Sequence, residues 1–200
     1  VNEDETGRPA EYPFTIPLFQ HFQPLTFHKP LTFITGDNGT GKSTLIEAIA
    51  VGMGFNPEGG TRNFQFSTRE THSSLYQALT LAKGVRRCRD GFFFRAESFY
   101  NVASEIENIA AEDSRMLTGY GGVSLHKMLH GESYLTLLRS RLSGHGFYIF
   151  DEPESALSPT GQFAMLAIMN DLIQEDSQLV IATHSPILLA CPQAEILEIQ

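Results

Sequence analysis

From Leu31 onward, short apolar runs alternate with polar, glycine-bearing loops. Leu31 to Thr35 (LTFIT), Phe147 to Phe150 (FYIF) and Leu179 to Ala182 (LVIA) are almost wholly apolar and rich in β-branched and aromatic residues. That is the pattern of strands buried on both faces. Phe92 to Ala96 and Glu195 to Ile199 read as two further strands. Helical spacing takes over between them. Leu45, Ile46, Ile49 and Ala50 recur after Lys42, and the helix they mark ends near Gly52 and Gly54. Ser158 and Pro159 open another helix, the serine as N-cap and the proline at the first helical position. Its faces carry Phe163, Leu166, Met169 and Ile173. Ser73 to Ala82, Asn101 to Ala111 and Ser124 to Leu142 also read as helical, the last interrupted at His130-Gly131. Tyr12 to Thr35 reads as two or three strands broken by Pro17, Pro24 and Pro30, and Asn56 to Arg69 as a loop with one short strand. Val1 to Ala10 is a loose lead-in. Strands alternating with helices predict an α/β fold, a mostly parallel sheet flanked by helices on both faces.

Composition narrows the class. A chain of 200 residues is long enough for one domain, 1–200, with a real core. Hydrophobic content of 42% and charged content of 18% fit a globular protein. No apolar run reaches membrane-spanning length, so direct membrane insertion is not expected. Cys88 and Cys191 stand apart, with no metal-ligand spacing and no disulfide framework, which points to a reducing, cytoplasmic setting. The start, VNEDETGRPAEYP, is unlike a secretory or mitochondrial leader, and the missing initiator Met points to a processed or trimmed chain.

A net charge of −9 argues against a surface that is basic all over. Lys83 to Arg95 (KGVRRCRDGFFFR) is the exception, with five of the fourteen basic residues beside three phenylalanines. It reads first as a solvated turn entering a half-buried strand, with Phe92 and Phe94 on one face. The alternative is a nucleic-acid contact near Arg86, Arg87 and Arg89.

Chemistry enters with the loop that follows LTFIT. Gly36, Gly39 and Gly41 permit backbone angles that a side chain would forbid, so successive N–H groups can point inward at the positive end of the next helix. The spacing Gly36-x-x-x-x-Gly41-Lys42-Ser43 matches the P-loop pattern between a strand and a helix. Such a loop holds a nucleoside triphosphate, with Lys42 reaching the β- and γ-phosphates and the Ser43 hydroxyl on Mg²⁺. In FYIFDEPE, Asp151 and Glu152 lie just past a buried strand, where parallel sheets face their ligands. Asp151 is placed to hold Mg²⁺ and Glu152 to polarise an attacking water. In LVIATHSP, His184 follows another strand and can donate to a γ-phosphate.

The ordered set GDNGTGKST, HGES, DEPESALSP and ATHSP resembles an ABC-type ATPase. It looks more like the soluble branch related to chromosome-maintenance and DNA-repair ATPases than like transporter subunits. NPEGGTRNF, GFFFRAESFYN, LHGES and ATHSPILLA resemble a group of small bacterial AAA-family ATPases, over about Tyr12 to Gln200. The resemblance implies ATP as the nucleotide, an N-terminal antiparallel β portion, and a helical signature subdomain inserted over about 70–142. It implies that Gly36, Asp37, Asn38, Gly39, Thr40, Gly41, Lys42, Ser43 and Thr44 bind the phosphates, and that Ser43 and Asp151 hold Mg²⁺. Glu152 would be the general base and His184 the switch histidine. His130, Gly131 and Glu132 would be the signature that completes the site of a partner chain in an ATP-dependent homodimer. Ser155 to Ser158 would be the D-loop touching that chain. Leu129 departs from the pattern, since the related signature carries a serine there. Gln65 is a plausible Q-loop residue. No aromatic residue for adenine stacking is evident before the P-loop, and this argues against a transporter motor.

Three functions compete on this reading. An ATP-hydrolysing engine would couple dimerisation to remodelling or clamping a protein or nucleic-acid partner. A nucleotide-gated binding module would need no general base, and a transporter motor would need the transporter-type signature.

Overall fold

The computed structural model describes residues 12–61, 73–84, 88–97 and 130–199. Five strands form one sheet: β1 (Leu31–Gly36), β2 (Asp90–Arg95), β3 (Gly146–Asp151), β4 (Gln178–Ala182) and β5 (Glu195–Ile199). Their order is β2-β3-β4-β1-β5, and every neighbouring pair is parallel. The described helices are α1 (Pro17–Gln20), α2 (Lys42–Gly52), α3 (Leu75–Ala78), α4 (His130–Arg141), α5 (Pro159–Gln174) and α6 (Pro186–Leu189). The fold is α/β, as the alternation of apolar runs predicts.

The central strands are apolar throughout because both faces are covered. Leu31, Phe33, Phe92, Phe94, Tyr148, Phe150, Leu179 and Ile181 point to one face, where Tyr134, Leu137 and Leu138 of α4 and Met165, Met169 and Leu172 of α5 cover them. Ile34, Phe93, Phe147, Ile149, Val180 and Ala182 point to the other, against Leu45, Ile46 and Ile49 of α2. Phe94 stacks between Phe92 and Phe150, with ring centroids 4.1 and 4.9 Å away. The three phenylalanines of the basic-aromatic run are therefore core residues and cannot stack on bases. Arg86 and Arg87 of that run lie outside the described residues.

Each long helix has a local cause. Ser158 Oγ accepts from Gly161 N at 3.1 Å, and Pro159 occupies the first position of α5. The C-terminal end of α4 is tied to the amino edge of the sheet through Asp90. Arg141 Nη1 donates to both Asp90 carboxylate oxygens at 2.9 Å, and Tyr148 Oη donates to Oδ2 at 2.8 Å. Burial pushes the Asp90 carboxyl up, but the Tyr148 hydroxyl and the Arg141 cation outweigh it and bring it below its ordinary value.

Three expectations change. Of the two or three strands expected over Tyr12 to Thr35 only β1 forms, in parallel pairing; Tyr12 to Pro30 forms α1 and irregular chain, so this segment supplies no N-terminal antiparallel β portion. Pro17 sits in the first turn of α1, and Pro24 and Pro30 remove ladder donors. Among the described residues the antiparallel pairing is one isolated bridge, Gly60 to Phe93. The helix expected over Ser73 to Ala82 is only Leu75–Ala78, and the chain turns extended at Leu79. The third change is that β2, within the 70–142 stretch read as an insertion, is a strand of the main sheet, and α4 packs on the main core. The helix expected over Asn101 to Ala111, the start of the one expected from Ser124, Gln65 and Leu129 lie outside the described residues.

Gly36 joins the fold to the loop. It pairs with Ile199 of β5 at φ 147°, and an added Cβ would run into the Ile199 carbonyl oxygen. Gly36→Ala is expected to lower stability by roughly 3 kcal/mol through combined overpacking and backbone strain, as read by urea unfolding.

Candidate nucleotide site

Parallel strands end at one edge, and here β2, β3 and β4 end in one row, level with Ile34 near the end of β1. Ile34, Ala182, Asp151 and Arg95 are successive register partners across β1, β4, β3 and β2. The residues expected to handle nucleotide lie on or just past this row.

The glycine loop runs from β1 into α2. Gly39 and Gly41 take φ 83° and 99°, left-handed angles that favour glycine. Lys42, only 4% exposed, donates through Nζ to the carbonyls of Gly36 at 3.0 Å and Asp37 at 2.7 Å. The Thr40 hydroxyl donates to the same Asp37 carbonyl at 2.9 Å. The loop thus curls round its own ammonium. Phe19 and Ile16 press on Gly41 from below, fixing the loop against the core.

Ser43, in the first turn of α2, donates to Asp151 Oδ1 at 3.0 Å. The two residues are 108 positions apart in sequence. A hydroxyl and a carboxylate oxygen converging on one point are hard oxygen donors of the kind Mg²⁺ takes, alongside phosphates. Among the described residues no group of three His, Cys, Asp or Glu could hold a metal ion by itself. The donor set therefore fits a cation that shares its shell with a nucleotide.

Burial pushes the Asp151 carboxyl up to about 6, against the opposing pull of the Arg95 cation and the Ser43 hydrogen bond; Glu152 and Glu97 add to the rise. Arg95 Nε lies 3.6 Å from Asp151 Oδ2, and Nη1 bonds to Glu47 Oε2 at 2.7 Å.

Past β3 the chain turns sharply. Glu152 takes a left-handed backbone, φ 49° and ψ 54°, unusual for a residue with a side chain. Its N–H donates to the Ala182 carbonyl at 3.0 Å, and its own carbonyl accepts from Ser155 N at 3.1 Å and Ser155 Oγ at 2.8 Å. The strained angle is held from both sides, and the side chain is left 43% exposed. His184 Nε2 lies 3.8 Å from Glu152 Oε1. The His184 N–H donates to Glu154 Oε1 at 2.6 Å, so Glu154 fixes the backbone that carries the histidine.

The structure thus brings Gly36 to Thr44, Asp151, Glu152 and His184 to one edge. His130, Gly131 and Glu132 form the first turn of α4, which packs on the face opposite α2. Sequence reasoning gave no role to Arg95, Glu47 or Glu154, although Arg95 lies in GFFFRAESFYN and Glu154 in DEPESALSP. It found no aromatic residue for adenine stacking before the P-loop; in the structure the Tyr12 hydroxyl is hydrogen-bonded to Thr44 Oγ1 at 2.9 Å.

The sheet and the glycine loop define a P-loop nucleotide-binding domain. A family model described as "AAA domain" matches residues 16–113, and a second, described as "AAA domain, putative AbiEii toxin, Type IV TA system", matches 133–190. The macrolide export ATP-binding/permease protein MacB of Hahella chejuensis is 28% identical over 192 residues, covering 84% of this chain. The chain spans 27% of the length of that relative. The cytochrome c biogenesis ATP-binding export protein CcmA of Aliivibrio fischeri is 28% identical over 165 residues, covering 78% of this chain and 79% of its own. The L-cystine transport system ATP-binding protein TcyN of Escherichia coli is 28% identical over 172 residues, covering 76% and 68%. An SMC head domain from Thermotoga maritima aligns with a TM-score of 0.43 at 14% identity, covering 84% of this chain and 85% of its own. These matches make the chain an ABC ATPase-like ATP-binding domain by similarity. Among the described residues no helix is long and apolar enough to cross a membrane.

The raised Asp151 carboxyl has a sign. Between its ordinary value of 3.8 and about 6 the folded protein binds the proton and the unfolded chain does not. This group's contribution is therefore full below the ordinary value and is lost as pH rises through about 6. Asp151→Asn mimics the neutral carboxyl. In chelator at pH 8 it is expected to be the more stable protein, and its advantage should shrink by about 1–2 kcal/mol on going to pH 5. Denaturant unfolding at the two pH values reads this directly; a constant gap would show that Arg95 and Ser43 cancel the effect of burial, and a gap that widens toward pH 5 that they outweigh it.

Proposed function

We propose that the chain hydrolyses Mg-ATP and couples ATP-dependent pairing of two copies to clamping or remodelling a partner. The observation that carries the reading is the Ser43–Asp151 contact at 3.0 Å, with the Glu152–His184 pair on the same edge. Ser43 and Asp151 would hold Mg²⁺, which offsets the charge of the phosphates. The loop N–H groups of Gly36 to Thr44 and the Lys42 ammonium bind the triphosphate at the positive end of α2. Glu152, exposed and held at a fixed angle, accepts the proton of the attacking water. His184 donates to the γ-phosphate region and keeps that water in line.

The position of α4 supports a shared site. Its first turn carries His130-Gly131-Glu132 on the sheet face away from α2, so signature and P-loop of one chain do not meet on one face. A second copy, head to tail, would bring them together, with Ser155 to Ser158 at the junction. With Leu129 in the serine position, the contact across the junction falls to Gly131 N–H, His130 or Ser133. The two cysteines are both free, in keeping with a cytoplasmic setting. A nucleic-acid partner at the basic run would have to be met without Phe92 to Phe94, which are buried.

A second reading is favoured by the relatives, whose names are those of export and uptake proteins: the chain as the motor of a membrane transporter. In that case activity would depend on a membrane-embedded partner.

Glu152→Gln keeps shape and hydrogen-bonding reach but cannot take the proton. Hydrolysis is expected to fall by about two orders of magnitude or more while Mg-ATP still binds. Trapped ATP should also hold two copies together by linkage of ligand to assembly, so light scattering should give a dimer with Mg-ATP and a monomer without. A variant that binds Mg-ATP, does not turn it over and stays monomeric would keep the base and remove the shared site.

A further inference from the structure

We propose that Arg95 is a tethered counter-ion of the metal carboxylate, making entry of a divalent cation at Asp151 conditional on the nucleotide. The proposal rests on the ATPase reading for the role of Asp151.

Arg95 ends β2 in register with Asp151 at the end of β3. Its Nε is buried with no hydrogen-bond acceptor and stands 3.6 Å from Asp151 Oδ2. The contact is one of charge, not a fork of paired hydrogen bonds. The other side of the guanidinium is committed elsewhere. Nη1 donates to Glu47 Oε2 at 2.7 Å and to the Pro57 carbonyl at 3.2 Å. Glu47 in turn accepts from Ser73 N through Oε1 at 3.0 Å. Three segments therefore hold the cation in place. Moving it would leave Glu47, 13% exposed, without its partner, which is costly for a largely buried charge.

A dication arriving at Asp151 Oδ1 meets this fixed positive charge on the other side of the same carboxylate. One carboxylate and one hydroxyl are too few donors to outweigh it. Mg²⁺ binds through one or two carboxylates together with substrate phosphates, and the phosphates bring the negative charge that Arg95 has cancelled. Metal then enters with the triphosphate and leaves when its charge is lost. A purely structural Arg95, tying β2 to α2 through Glu47, has no such consequence for metal affinity.

The test is Mn²⁺ binding to the nucleotide-free chain, followed by the electron paramagnetic resonance signal of free aqueous Mn²⁺. Wild type should bind weakly. Arg95→Gln combined with Glu47→Gln removes the cation without stranding Glu47, and should bind Mn²⁺ at least tenfold tighter. Adding Asp151→Asn to that pair should abolish the gain, and Arg95→Lys, which keeps the charge, should behave as wild type. A folded Gln/Gln pair that binds Mn²⁺ no tighter than wild type, or a gain that survives Asp151→Asn, overturns the proposal. Should the pair fail to fold by circular dichroism, Arg95→Met combined with Glu47→Met carries the same comparison with the same outcomes. Mg-ATP binding by wild type is measured alongside. Its absence would sink the ATPase reading, whereas its presence with no gain of Mn²⁺ affinity would sink the counter-ion alone.

Discussion

The parallel row Ile34–Ala182–Asp151–Arg95 is the constraint on which the rest of the molecule depends. A parallel sheet sends all its strand ends to one edge, so residues far apart in sequence become neighbours about 5 Å apart from strand to strand. Ser43 can reach Asp151 only because β4 stands between β1 and β3 and holds both in register. Continuous burial of the strands sets that register. Leu31, Phe33, Tyr148, Phe150, Leu179 and Ile181 must all face α4 and α5, and a slip of one residue would turn each to the wrong layer.

At this edge the protein carries features that cost stability. Lys42 is buried against loop carbonyls, Asp151 is ionised only against the pull of burial, and Glu152 sits at a left-handed angle. Each is held by something rigid. The loop is backed by Phe19 and Ile16, Asp151 by Ser43 and Arg95, and Glu152 by Ala182 and Ser155. Strain and unbalanced charge of this kind belong where a ligand later supplies the missing partner. At the opposite edge Asp90, Arg141 and Tyr148 satisfy one another and leave nothing open to a ligand.

The elements that sequence revealed are those whose cause is local. LTFIT, FYIF, LVIA and Glu195–Ile199 are strands because burial on both faces or steady alternation leaves a direct mark. Ser158-Pro159 starts a helix because the cap and the fixed proline angle lie within two residues. The glycine loop, Asp151, Glu152 and His184 were legible because each follows a readable strand. Pairing across the sheet leaves no such mark. Nothing in GFFFR says that its arginine will stand beside Asp151, since this follows from β2 taking the place next to β3. Glu47 is one polar position on a helix until Arg95 is placed opposite it. The N-terminal segment misled in the other direction. Its apolar residues were read as strands, but they pack as Phe19 and its neighbours under Gly41, with prolines preventing a ladder.

The central claim is that this edge binds Mg-ATP through the glycine loop. The most direct measurement is isothermal titration of Mg-ATP into the wild-type chain and into Lys42→Ala, with circular dichroism to show that both are folded. The geometry predicts one site per chain in wild type and no detectable binding in the variant, because the ammonium now held by the Gly36 and Asp37 carbonyls is the group the phosphates require. A folded Lys42→Ala that binds Mg-ATP with undiminished affinity would contradict the account.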